Sequence, residues 1–208
     1  MFCFGEEIQV EQINCKYCIS IPEGWTVYKD TVVSSNGFDC RTLFLSLIDE
    51  REYEKPSDYV MIAFLPSLEV LDGFSFEQMR KTITRQFESG ANTDSLKVVF
   101  QNIESVKENP CHFQLKFRIM KENSIIECDQ VLFPTKFGYI SMSFYKHEES
   151  PRSLSAMLSS FENAITVDDD YVYSEPASRN NLIINLLISI GIGLIVYCII
   201  SLLSKRDK

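Results

Sequence analysis

In the stretch HFQLKFRIMK (112–121), Phe113, Leu115, Phe117 and Ile119 alternate with His112, Gln114, Lys116 and Arg118. A period of two puts successive side chains on opposite faces, so this is an antiparallel strand with one buried and one wet face. The turn KENS leads into a second apolar run, IIECDQVLF (125–133), and PTKFG into a third, YISMSFYK (139–146). Together they predict a meander of three strands. LKVVFQNIES (96–105) reads as a further strand just before it.

Upstream, Tyr17, Ile19 and Ile21 alternate with Cys18 and Ser20 and stop at Pro22 and a Glu-Gly turn. RTLFLSLID (41–49) and YVMIAFL (59–65) are apolar strands separated by a charged loop. The period then changes. Ser75 with Gln78 three residues on forms a capping box, Met79, Ile83 and Phe87 recur every fourth residue, and Gly90 is placed to end the helix. A second helix is predicted from Ser150 as N-cap and Pro151 in first position, with Leu154, Met157, Leu158, Phe161 and Ile165 as its apolar stripe. The order β-β-β-α-β-β-β-β-α implies an α+β domain, an antiparallel sheet of about six to seven strands packed with two helices. Its bounds are 15–167, after an N-terminal segment 1–14 and before an exposed polar linker 168–181.

Residues 182–203 break both periods. Leu182, Ile183, Leu186, Leu187, Ile190, Leu194, Ile195, Ile199 and Leu202 stand in a run without a charged side chain and without a polar stripe. At about 1.5 Å per residue the run spans roughly 33 Å as a helix, slightly more than a hydrocarbon core. It is expected to be a single C-terminal transmembrane helix followed by a basic tail, 204–208. Ser189 and Gly193, four apart, offer a small-residue face for helix–helix contact and hence a homo-oligomer through the anchor.

The net charge of −9 becomes about −11 once residues 204–208 are set aside. A domain that acidic repels phosphate backbones and anionic lipid head groups, so nucleic acid is excluded as a partner and the membrane is reached through the apolar run alone. Seven cysteines, at 3, 15, 18, 40, 111, 128 and 198, are odd in number and irregular in spacing. Such free thiols suit a reducing compartment. The N-terminus has neither a basic nor an apolar signal region. Lys205, Arg206 and Lys208 would by the positive-inside rule put the domain outside the cytoplasm. Free thiols and the ease of translocating a short tail favour the opposite, a domain on the cytoplasmic face.

Candidate chemistry is sparse. Cys15 and Cys18 form a C-x-x-C, but it leads into a strand, where a redox pair would open a helix. Cys111 and His112 are neighbours on a strand and point to opposite faces, which does not suit a shared metal. His147, beside Glu148 and Glu149, lacks a positioned nucleophile, and Asp168, Asp169 and Asp170 lack the glycine turn and spaced ligands of a calcium loop. Trp25 reads as packing at the domain edge. No catalytic, cofactor-binding or metal-binding residue is assigned, and the chain is read as a non-enzyme without a cofactor.

The opening ISIPEGW, the helix start FSFEQM, the meander CHFQLKFRIMKENSIIECDQVLFPTKFGYISMSFY and the closing LSAMLSSFENAI together resemble the PsbP/DcrB-like superfamily, over roughly residues 15–167. The resemblance implies a binding fold. Members include an extrinsic photosystem subunit, bacterial envelope proteins, a nuclear-transport factor that binds a GTPase, and chaperones for type VI secretion effectors. Together with the apolar run, in which the chain departs from soluble members, it implies a membrane-anchored protein-binding module, such as a secretion-effector adaptor, chaperone or immunity protein. The Phe-rich composition and negative surface suit a partner with an apolar patch rimmed by cations. The alternative is an envelope-facing accessory or stress protein of DcrB type.

Overall fold

The computed structural model describes residues 4–35, 38–48, 58–89, 97–107, 110–121 and 124–175. Within them the order is β1 (Phe4–Gln12), β2 (Cys15–Pro22), β3 (Trp25–Ser35), β4 (Phe38–Leu47), β5 (Asp58–Pro66), α1 (Phe76–Ser89), β6 (Lys97–Val106), β7 (His112–Lys121), β8 (Ser124–Thr135), β9 (Gly138–His147), α2 (Leu154–Ser160) and β10 (Ile165–Val167). Seven strands make one antiparallel sheet in the order β3-β4-β5-β9-β8-β7-β6, and β1-β2-β10 make a second. The architecture is α+β, as the alternating patterns predicted.

The two faces of the large sheet carry separate cores. On the first, Phe113, Leu115, Phe117 and Ile119 of β7 meet Phe76, Met79, Ile83 and Phe87 of α1. Phe76 stacks on Phe113 at 4.1 Å, and Phe87 lies 5.4 Å from Phe117. On the second, β5 and β9 contribute Val60, Ile62, Phe64, Ile140, Met142 and Phe144. Opposite them pack Val10, Tyr17, Ile19 and Ile21 of the small sheet and Met157 and Phe161 of α2. Each such side chain stabilises the fold by about 1.5–3 kcal/mol before chain entropy is counted. The phenylalanine wealth of the sequence is therefore spent on the core.

The predicted capping box is present: Ser75 N–H donates to Gln78 Oε1 at 2.8 Å, and Gln78 N–H to Ser75 Oγ at 3.3 Å. α2 differs from its prediction. Ser153 occupies the N-cap position, and Ser150 instead donates its hydroxyl to Asp58 Oδ2. Arg152 reaches the same carboxylate at 3.1 Å, so residues 150–152 pin the chain to β5 and the helix starts after them. At its other end Asn163 takes φ 60. That left-handed residue reverses the chain, and Ile165 pairs with Ile19 of β2 in place of joining the helical stripe.

β1 and β3 were not foreseen as strands. From Phe4 the N-terminal segment pairs with β2 along its length, turning back through Asn14 at φ 64. The IPEGW turn depends on Gly24 at φ 87, which leads into Trp25 and a β3 whose alternation is broken by a bulge between Val27 and Lys29. Trp25 is buried, edge-on to Phe161 at 5.1 Å.

The segment read as a linker is described as far as residue 175, and that part is bound to the domain. Asp169–Tyr171 form a 3-10 turn, and Val172 makes a bridge to Thr135. Tyr173 is buried with its hydroxyl donating to Phe74 O at 2.7 Å. Ser174 N–H donates to Asp72 Oδ1, and Glu175 Oε1 accepts from Phe76 N–H at the start of α1. Among the described residues no helix is long and apolar enough to cross a membrane. The anchor assigned to Leu182, Ile183, Leu186, Leu187, Ile190, Leu194, Ile195, Ile199 and Leu202, with Ser189 and Gly193, lies outside the described residues.

Candidate interaction surfaces

The small sheet and α2 pack over β3, β4, β5, β9 and the Val131–Phe133 part of β8, and the same face of β6, β7 and the first half of β8 is polar. Because Phe113 to Ile119 turn toward α1, Gln114, Lys116 and Arg118 turn away from it. They adjoin Glu127 and Asp129 of β8, and α2 borders them with Arg152–Ser155. The result is an open groove of about 360 Å³, lined by Gln101, Lys116, Glu127, Asp129, Lys146 and Arg152 among others.

Its charges answer one another. Glu127 accepts from Arg118 at 3.1 Å and from Lys146 at 3.4 Å, and Arg152 is tied to the buried Asp58. Burial pushes the Asp129 carboxyl above the usual range, against the pull of the Lys116 ammonium. Ser153 and Ser155 share a hydrogen bond at 2.6 Å. No activated nucleophile stands in the groove, since the Cys128 thiol is buried on the α1 side and burial pushes it well up. The groove can hold a polar ligand.

The residues weighed from sequence are placed as follows. Cys15 is buried and Cys18 half-buried on alternate faces of β2, three residues apart. Burial first, then Cys40, pushes the Cys15 thiol up to about 12, and burial with Glu7 also raises Cys18. Neither is a low-pKa thiolate. Cys111 packs into the first core, whereas the His112 ring lies 5.5 Å from Phe133 on the other face. His147 donates its backbone N–H to Asp58. Asp168 accepts from Asp170 N–H and pairs with Lys16 at 3.5 Å, closing a turn. Among the described residues no three His, Cys, Asp or Glu side chains gather as a metal site.

A second surface lies where the described chain leaves the domain. Ser67 N–H donates to Phe137 O, Leu71 N–H to Lys136 O, and Lys136 N–H to Tyr171 O, each at 2.7–2.8 Å. These bonds lace the loop after β5, the β8–β9 turn and residues 168–175 into one end. Leu68, Val70 and Val172 stand there about half exposed. Sequence reading missed this end, although the alternation Tyr171-Val172-Tyr173 in the supposed linker was a strand-like signal.

No protein-family model and no curated protein matches the sequence. Among solved structures the fold is similar to the solution structure of cyanobacterial PsbP (CyanoP) from Synechocystis sp. PCC 6803, with a TM-score of 0.50 and 15% identity. That match covers 80% of this chain and 95% of the other. The domain thus has a PsbP-like fold.

Proposed function

We propose that the chain is a non-enzymatic protein-binding module, held at the cytoplasmic face of a membrane by a helix over 182–203. The observation that carries this reading is the tie between the domain and residues 173–175. Tyr173, Ser174 and Glu175 are fixed to Phe74, Asp72 and Phe76. Only residues 176–181 then separate the folded body from the uncharged run. An α+β domain so placed works beside the bilayer. The PsbP-like fold, in general a non-enzymatic one, and the charge-balanced groove support binding over catalysis. Handling of a secretion effector, as chaperone, adaptor or immunity protein, is the role the superfamily resemblance supports.

The cations at 205–208 favour a second reading, an envelope-facing accessory protein with the domain outside the cytoplasm. Ile13, 71% exposed in the β1–β2 turn, gives the test. An Ile13→Cys variant is expected in the membrane fraction, with its added thiol labelled by an impermeant maleimide only after lysis. Extra labelling of intact cells selects the envelope reading. Recovery in the soluble fraction sinks both.

A further inference from the structure

We infer that the end carrying Leu68, Val70 and Val172 is a docking surface for the cation-rich juxtamembrane segment of a separate integral membrane protein. The inference rests on the membrane-anchored, cytoplasmic reading above and names the face and the partner's chemistry. Three observations bear on it.

The first is composition. Segments 67–74, 135–137 and 168–175, joined by the hydrogen bonds already given, contain Glu69, Asp72, Asp168, Asp169, Asp170 and Glu175 against Lys136 alone. Half-exposed Leu68, Val70 and Val172 rise from that acidic ground. Lys16 of β2 pairs with Asp168, and the balance stays acidic; apolar tips on ground of net negative charge match a partner with apolar residues among cations.

The second is position. Seven residue steps join Glu175 to Leu182, at most about 25 Å of extended chain. This end of the domain is therefore held within that distance of the point where the apolar run enters the bilayer. The opposite end, with half-exposed Ile48 just after β4 and bonded to Gly24, is not so confined.

The third is the choice between lipid and protein. Anionic lipids attract basic segments, worth about 1 kcal/mol per cation near the surface, and repel carboxylates by the same field. This end therefore gains nothing from anionic head groups. Cytoplasmic segments flanking the spans of integral membrane proteins are enriched in Lys and Arg and lie at the same height above the membrane. They supply the missing charge where this surface is held.

The test uses the full chain in its native membrane. A photo-crosslinking amino acid is placed singly at Val70, at Val172, at Gln101 in the groove and at Ile48, and the adducts are mapped by mass spectrometry. The expected result is adducts from Val70 and Val172 to a Lys/Arg-flanked juxtamembrane peptide, with none from Ile48. Reversing Asp169 and Asp170 to Lys should lower their yield about tenfold and leave membrane recovery unchanged. Adducts to phospholipid alone, or to soluble proteins, overturn the inference. Protein adducts from Gln101 with none from Val70 or Val172 overturn it too, but leave the binding-module reading standing. Loss of the unmodified chain from the membrane fraction removes that reading and the inference together.

Discussion

Gly138 begins β9 where β5 passes closest. A Cβ added there would stand 2.2 Å from Leu65 O and 2.9 Å from the Phe64 ring. Both obstacles belong to the neighbouring strand β5, and the nearer is backbone. Gly138→Ala is expected to cost more than about 2 kcal/mol, measured as a fall in urea midpoint at unchanged slope. Asp129 makes an opposite prediction. Burial raises its folded pKa, so the charged form is the less stable in the fold. The stability tied to its protonated state is complete below the unfolded value of about 3.9 and is lost as pH rises through the folded pKa. Asp129→Asn should therefore raise the thermal midpoint at pH 7 and leave it nearly unchanged near pH 3. A neutral-pH loss would mean that its attraction to Lys116 outweighs desolvation.

Among the elements, the strands with a clean period of two were legible. β7 stands where alternation put it, β8 and β9 where the turns KENS and PTKFG set off apolar runs, and α1 starts at its capping box. β1 was overlooked because Ile8 and Val10 are its few apolar positions in an otherwise charged stretch. It is an edge strand, wet on one side, and is held by pairing with β2. β3 hid behind its bulge, which breaks the period so that the neighbours Tyr28 and Lys29 both reach the Phe44 ring. The last helix was drawn too long because Asp58, 92 residues before Ser150, captures its first turn. No local pattern reports a partner so distant. The same holds for Tyr173, 99 residues from Phe74. Tyr173→Ala should cost about 3–5 kcal/mol, as for other large buried aromatics. Tyr173→Phe, which removes only the hydroxyl, should cost about 1 kcal/mol. Equal, small losses in denaturant melts would show that residues 168–175 contribute little to the domain.

At the scale of the whole molecule, sequence gave access to the fold class and the apolar run, and the groove and the acidic end emerged only from topology. Glu127 is 19 residues from Lys146, and Leu71 is 65 from Lys136, so neither surface exists until separate strands pair. Deleting 182–208 is expected to release a soluble domain that melts cooperatively, because both cores close within the described residues. Aggregation without a cooperative melt would show that the domain needs the deleted segment to fold.

The small sheet joins the beginning of the chain to the end of the domain, since β2 pairs with β1 on one side and with β10 on the other. Ile19 cannot meet Ile165 until nearly the whole domain has been made. Contacts of such long sequence separation close slowly. During synthesis the β2 edge therefore waits, open, for Val167. The next residues to emerge are those that reach toward the uncharged run. If that run is the anchor proposed above, completion of the domain and its delivery to a bilayer fall in the same interval, and a chaperone that shields one has reason to shield the other.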